Sequence, residues 1–273
     1  MSSRTSTRRS PLLAIYAALV FVFIYLPIVV LILYSFNRDG VGGFPPGHLT
    51  LDWYRQLFAD GPVWDAVLNS LLVATGSVAL SLTLGLLAAL ALDRATFPGK
   101  TLFRRLVLLP LILPGIITGL SLLMFAVLLK RQLSLFTVFL GHGTALISVA
   151  TTEIFAGLQK MDRAQEEASL DLGATPWQTF WRVTLPNLKL SLIAAGLLIF
   201  TLSMDEIAVT FFLIGRDNTL PLEIWGRLGR GITPEINAIS SLIFAVSVGL
   251  IIIWYRVRAR GLGADAQELL ERP

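Results

Sequence analysis

The sequence predicts an all-α, polytopic membrane protein with six transmembrane helices, on three observations. Hydrophobic residues make up 55% of the 273 residues and charged residues only 15%, whereas roughly a quarter of the residues of a soluble protein are charged. The apolar residues gather in runs of about 20, the length of a membrane-spanning helix. These runs do not alternate as barrel strands do, and lipid permits only helices or closed barrels.

The apolar runs give the order of the elements. The predicted spans cover about residues 12–36, 66–92, 106–129, 136–158, 190–214 and 238–255. The first run is too long for the core of a signal peptide and lacks a small-residue cleavage site, so we expect it to be retained. Residues 1–11 precede it, residues 256–273 form a tail, and the whole chain is expected to be one transmembrane domain.

The distribution of Lys and Arg predicts the orientation. Fifteen of these 22 residues flank the spans on the side of the two termini and of the loop at about 159–189, and seven lie opposite. The positive-inside rule therefore places both termini and that loop in the cytoplasm. Because the basic residues flank spans instead of forming one soluble face, the net charge of +4 predicts no nucleic-acid partner.

This cytoplasmic loop contains the stretch EEASLDLGATPWQTFWRVTLP, which carries the local signals of two short helices. The first is expected to end at Gly173, because glycine accepts the positive φ of a helix C-cap. The second begins after Thr175, which can form a capping box with Gln178 and is followed by Pro176. Pro186 lacks the amide that would continue it. The apolar stripe of the second helix comprises Trp177, Phe180, Trp181, Thr184 and Leu185.

The pattern alone leaves two interpretations of the loop open. Such a hairpin could lie on the membrane surface and merely connect two spans, as amphipathic aromatic segments do. It could instead dock a partner protein, because the small side chains of Ala168 and Ser169 allow close backbone approach beside the charges of Glu166 and Glu167.

Seven residues of the loop follow a fixed spacing: Glu167, Ala168, Ser169, Gly173, Val183, Leu185 and Pro186. They resemble the EAA motif of ABC-importer membrane subunits, which is Glu-Ala-Ala, then Gly, then Ile-x-Leu-Pro. Ser169 replaces an Ala and Val183 replaces an Ile, and both are small changes. The stretches SFN, FTLSMDEIAVTFFLIG and GITPEINAISSLI extend the resemblance over nearly the whole chain, to the second permease subunit of spermidine/putrescine importers.

The resemblance implies a non-enzymatic permease in the bacterial inner membrane. It implies three kinds of protein partner: a second, related permease that forms a heterodimer with this chain, two cytoplasmic ATPase subunits and a periplasmic solute-binding protein. In that family the EAA loop sits in a groove of the ATPase and transmits its closure. No cofactor is implied for this chain, since the partner ATPases bind the ATP.

Two further motifs are assigned no chemistry. RATFPGKT ends like a phosphate-binding loop, but Arg94 stands where that motif needs Gly, and a membrane helix precedes it instead of a strand. GIITG, with Gly115 and Gly119, predicts ordinary helix packing. Pro110 and Pro114 beside it predict a kink in the third span.

His142 and the absence of cysteine bear on metal and enzyme chemistry. Without Cys or a second His nearby, His142 is predicted to be a hydrogen-bonded packing residue and not a metal ligand. No constellation of nucleophile, base and orienting residue can be assembled either, so an enzyme is not expected.

Asp205 and Glu206 are the candidate residues of the solute pathway. They lie slightly past the middle of the fifth span, where an ionisable side chain is costly and by default functional; the alternative is an ion pair or a neutral carboxyl that packs. On a continuous helix the two side chains point about 100° apart. Thr201 and Phe212 then share the face of Asp205, and Ser203 and Thr210 share that of Glu206.

Two carboxylates favour a polycation, and together with the resemblance they predict a polyamine as the solute. One alternative keeps the architecture and changes the cargo to another small organic cation or an aminophosphonate. A different class, an ion-coupled secondary transporter, should show inverted repeats and helices broken at matching positions in two halves, and neither is evident in the sequence.

The predicted orientation can be tested because the chain has no cysteine. We expect Gly42→Cys, after the first span, to react with an impermeant maleimide from outside the cell. Gln165→Cys should react only once the membrane is opened. External labelling of Gln165→Cys would reverse the whole topology.

Overall fold

The computed structural model describes residues 11–38, 47–231, 233–249 and 252. These residues are helical apart from turns and one isolated bridge between Asn37 and Leu49, which confirms the predicted all-α class. Gly42 and the tail at 256–273 lie outside the described residues. The helices are α1 Pro11–Tyr34, α2 Asp52–Ala59, α3 Gly61–Arg94, α4 Lys100–Leu108, α5 Gly115–Leu128, α6 Leu135–Ala145, α7 Ile147–Lys160, α8 Ala164–Asp171, α9 Pro176–Thr179, α10 Leu185–Met204, α11 Ala208–Leu213, α12 Leu220–Leu228 and α13 Pro234–Gly249.

The chain divides into two compact units. The larger unit, residues 62–225, contains every candidate site residue. The smaller unit combines residues 1–61 with residues 226–273. Because α1 is apolar along its length and has no buried stretch, its side chains suit a lipid environment.

The smaller unit is joined by polar contacts between segments distant in sequence. The Tyr54 hydroxyl lies 2.7 Å from both Ser35 Oγ and Ser241 Oγ. Arg227 Nη1 pairs with Asp60 Oδ2 at 2.7 Å. These contacts tie α2 to the end of α1 and to α13.

The longest helix, α3, extends past both ends of the span predicted at 66–92. Its 34 residues make it about 50 Å long at 1.5 Å per residue. Its buried positions are mostly small residues, which let neighbouring helices approach closely. Ser81 Oγ donates to Gly143 O at 2.7 Å, and a Cβ at Gly85 would lie 3.0 Å from Thr151 N. α3 therefore packs tightly on α6 and α7.

The main apolar cluster of the larger unit lies where α3, α7 and α10 meet. In lipid such packing is held by van der Waals contact, because hydrocarbon is as apolar as the side chains themselves. The buried residues of the cluster are Ala89, Val149, Ala150, Ile154, Leu158, Leu188, Ala195 and Ile199.

The predicted third span, at 106–129, is sharply bent. The segments Lys100–Leu111 and Gly115–Leu128 meet at 106°, where the sequence predicted a kink. The bend falls at Pro114, which has no backbone N–H and holds an extended ψ of 137°. Gly115 and Gly119 follow it and face α11, which confirms that GIITG serves helix packing.

Two other predicted spans are interrupted. The fourth, at 136–158, is divided at Leu146 into α6 and α7. The prediction of one continuous helix over 190–214 is wrong, because α10 ends at Met204 and α11 begins at Ala208.

The number of membrane spans stays a prediction. Within the described part of the chain, four helices are long and apolar enough to cross a membrane, or up to five if the bent pair counts as one span. The last apolar helix, Pro234–Gly249, is shorter. It begins four residues before the predicted start at Ala238, and the predicted end at Tyr255 lies outside the described residues.

Gly119→Ala tests the close packing of α5 on α11. The new Cβ would lie 2.8 Å from the Phe212 ring and 3.0 Å from Ala208 O, and the backbone oxygen has little freedom to move. Overpacking of this kind costs roughly 1–3 kcal/mol, so we expect a lower Tm in detergent. The control is Gly196→Ala on α10, whose Cβ meets only ordinary contacts at 3.4 Å or more. Both changes gain the same helix propensity, so an equal Tm would contradict the prediction.

Candidate functional site

The first helix of the hairpin at residues 164–184 ends where the sequence predicts. α8 closes with Gly173 N bonded to Leu170 O at 2.9 Å and Ala174 N bonded to Ser169 O at 3.1 Å, which is a Schellman motif. Gly173 has the positive φ expected of it, +87°.

The second helix of the hairpin also starts where the sequence predicts. Thr175 Oγ1 accepts from Gln178 N at 3.3 Å, and Gln178 Oε1 accepts from Thr175 N at 2.8 Å. This capping box sets the start of α9 at Pro176. The turn between α8 and α9 is therefore fixed by local hydrogen bonds on both sides.

The predicted end of that helix at Pro186 is wrong. After α9 the chain forms a π turn at Phe180–Thr184 and continues directly into α10. Pro186 stands in the first turn of α10, where a missing N–H is tolerated. The hairpin is thus continuous with the long helix that follows it.

The hairpin exposes a large apolar surface. The side chain of Leu172 is 89% exposed, that of Trp177 68% and that of Trp181 50%. Trp177 and Trp181 contact each other edge to face, with ring centroids 5.6 Å apart. Of the seven residues that resemble the EAA motif, Glu167, Ala168, Gly173 and Pro186 are exposed, while Ser169, Val183 and Leu185 are half-buried. The exposed side is what a partner protein would meet.

A polar cluster lies at the base of the hairpin, where α3 ends. Glu166 Oε1 accepts from Arg94 Nη2 at 2.5 Å and also from the Thr184 hydroxyl. Asp93 Oδ2 accepts from Arg163 Nη2 at 3.1 Å. The sequence does not predict this cluster, because Arg94 and Glu166 are 72 positions apart and no local pattern links them.

The two candidate acids lie in the break between α10 and α11, and their surroundings differ. Glu206 is half-buried, and its Oε1 accepts from Val209 N at 2.8 Å. It thereby satisfies a free backbone donor at the start of α11. Asp205 is exposed, and its side chain has no hydrogen-bond or ion-pair partner among the described residues. Glu206 is engaged in the fold, whereas the Asp205 carboxylate is not bonded to any described residue.

His142 holds the two sides of this break together. Its Nδ1 lies 2.8 Å from Ser203 Oγ at the end of α10, and its Nε2 lies 2.9 Å from Thr210 Oγ1 on α11. The Thr210 hydroxyl donates to Glu206 O at 3.0 Å, so it accepts from Nε2–H, and Nδ1 accepts from Ser203. This confirms His142 as a hydrogen-bonded packing residue.

The sequence predicted that Thr201 and Phe212 share a helix face with Asp205, and that Ser203 and Thr210 share one with Glu206. These shared faces are absent, because the helix is broken between Met204 and Ala208. Ser203 and Thr210 turn to His142 instead of lining a path with Glu206. Phe212 packs against Gly119 on α5. Asp205 keeps its place as an exposed carboxylate without the aromatic neighbour that the continuous helix predicted.

Residues 81–261 match a protein family described as binding-protein-dependent transport system inner membrane component. The chain belongs to this family. The matched range contains the hairpin, the C-terminal part of α3 and the break that carries Asp205 and Glu206. Membership in this family of transport permeases confirms the prediction of a transport subunit and not an enzyme.

Two relatives of this permease make the match more specific. It is 36% identical over 256 residues to the putrescine transport system permease protein PotI of Escherichia coli K12, with 90% of this chain and 91% of the relative covered. It is 32% identical over 235 residues to the spermidine/putrescine transport system permease protein PotC of the same organism, with 85% and 88% covered.

The fold of this permease is also similar to that of a solved importer. A chain of a bacterial ABC transporter involved in the import of alginate superposes with a TM-score of 0.69, covering 95% of this chain and 98% of that one. At 17% identity the likeness concerns the fold alone.

Proposed function

We propose that this permease is part of an ATP-driven ABC importer that carries polyamines across the bacterial inner membrane. Among the polyamines we propose putrescine as its main solute. The observation that carries the proposal is the 36% identity to a putrescine permease over 90% of the chain. The unpaired carboxylate of Asp205 supports it, because an ammonium that leaves water needs an anionic partner.

The proposed assembly contains a second, related permease, two cytoplasmic ATPase subunits and a periplasmic solute-binding protein. In this assembly the hairpin docks on an ATPase subunit. The exposed Leu172, Trp177 and Trp181 supply apolar contact area, and exposed Glu167 supplies charge. The rigid turn at Gly173 supports this role, since a docked element has to transmit motion without deforming.

Gly173→Asp and Gly99→Asp form a matched test of docking. Both glycines have positive φ, +87° and +82°, and neither has an atom within 4 Å of an added Cβ. Both substitutions therefore add one charge and a similar backbone strain, roughly 1–2 kcal/mol. We expect Gly173→Asp to abolish uptake at a normal membrane level, because it alters the docking surface, and Gly99→Asp to retain uptake. Equal uptake by the two variants would make the hairpin a simple connector.

Asp205→Asn tests the solute pathway in cells that express the complete importer and lack other polyamine uptake. A carboxylate attracts an ammonium by about 4 kcal/mol at 4 Å and an effective dielectric constant of about 20. We therefore expect uptake of labelled putrescine to fall severalfold while the complex still co-purifies. Glu206→Gln should stay near wild type, because the amide oxygen can still accept from Val209 N.

Two results would contradict different parts of the proposal, one the role of Asp205 and the other the identity of the solute. Wild-type uptake by Asp205→Asn would remove Asp205 from the pathway. A wild-type complex that imports another organic cation or an aminophosphonate and leaves putrescine outside would overturn the proposed solute but keep the permease.

A further inference from the structure

We propose that Asp93 and Arg94 fasten the hairpin to the end of α3, so that α3 carries motion of the hairpin toward the opposite end of the larger unit. The inference rests on the proposed docking of the hairpin to an ATPase. By chain connectivity alone, the hairpin would act only on α7 and α10, the helices that precede and follow it. The side-chain contacts add a third route.

Glu166 is the junction of this route. Its carboxylate touches Arg94 at the end of α3 and Thr184 in the π turn that leads into α10. The Glu166 side chain is only 14% exposed. A carboxylate so enclosed has lost most of its water, so the removal of Arg94 would leave its charge poorly compensated. The hairpin cannot shift away from α3 without breaking this contact.

Asp93 provides a second attachment next to the first. Its side chain, 5% exposed, accepts from Arg163 Nη2 at 3.1 Å, next to the start of α8. It also accepts from Gln159 Nε2 at 2.6 Å, near the end of α7. Two consecutive residues of α3 therefore hold the start of the hairpin at two points, Arg163 and Glu166. This double attachment resists rotation as well as translation of the hairpin relative to α3.

α3 is built to pass a displacement on. It is continuous over 34 residues, whereas the other apolar segments of the larger unit are bent, interrupted or contain a π turn. At its far end Ser70 Oγ accepts from Leu220 N at 2.8 Å. Asn69 Nδ2 donates to Asn218 O at 2.9 Å. The segment that follows α11 is thus attached to the same helix as the hairpin.

The experiment follows two helices separately in the complete importer. Because the chain has no cysteine, a nitroxide can be placed at Leu68→Cys near the far end of α3, or at Leu197→Cys on α10. Both positions are exposed. The measured quantity is the change in EPR line shape when ATP and vanadate are added. No solute is needed, so a wrong solute assignment does not affect the result.

We expect the response at Leu68→Cys to fall about fivefold or more in Arg94→Gln and in Glu166→Gln, as for the loss of a coupling between two sites. The response at Leu197→Cys should persist, because the π turn still connects the hairpin to α10. Arg94→Lys should retain the response. Arg105→Gln is the matched control: it removes one positive charge from nearby α4, where Arg105 is exposed and has no partner among the described residues.

Two results would overturn the inference. An unchanged response at Leu68→Cys in both charge-removing variants would show that α3 moves without the cluster. A parallel loss at Leu68→Cys and Leu197→Cys would show that the cluster only holds the hairpin in shape. Glu166→Gln keeps the test usable if Arg94→Gln fails to assemble, because the Arg94 guanidinium that it leaves unpaired is more exposed, at 34%, than the Glu166 carboxylate, at 14%.

Discussion

In a bilayer each backbone N–H and C=O has to find its partner within the protein, because hydrocarbon offers none. This requirement governs how the helices of the larger unit are interrupted. The bend before α5 falls at Pro114, which has no N–H to satisfy. At the break after α10, the Glu206 carboxylate accepts from Val209 N at 2.8 Å. Between α6 and α7, Leu146 N still reaches His142 O at 3.0 Å. At each interruption the chain thus lacks, or bonds, a backbone N–H that would otherwise be free.

The same requirement distinguishes the polar side chains that serve the fold from Asp205. Both ring nitrogens of His142 are hydrogen-bonded, one to Ser203 and the other to Thr210. These hydrogen bonds join α10 to α11 across the break. Glu206 caps α11. Asp205 stands between these groups, exposed and without a partner among the described residues. An unpaired carboxylate in an apolar segment is costly, so Asp205 stays our candidate for contact with a solute.

The sequence predicts features that depend on neighbouring residues and misses those that depend on distant ones. The all-α class, the turn at Gly173 and the capping box at Thr175 follow from composition and from signals within four residues. The break at Asp205 contains no Gly or Pro, so no local signal marks it. The residues that flank the break are contacted by His142 on α6 and by the glycines of α5. Pro186 carried a valid stop signal, but the preceding π turn allows the proline to stand at a new helix start. Two statements remain predictions: that the hairpin docks on an ATPase, and that Asp205 faces a solute.

The break itself gives Asp205 a distinct electrostatic setting. The residue caps the C-terminus of the 20-residue helix α10, where backbone carbonyls leave a negative partial charge. A carboxylate at that end is unfavourable by roughly 0.3–1 kcal/mol, so carboxylate and helix end repel each other but attract a cation together. In a continuous helix the carbonyls would be bonded to the next turn, and Asp205 would act alone. The interruption therefore places two sources of negative potential at one point, and on this ground we predict that a solute which contacts this point is cationic.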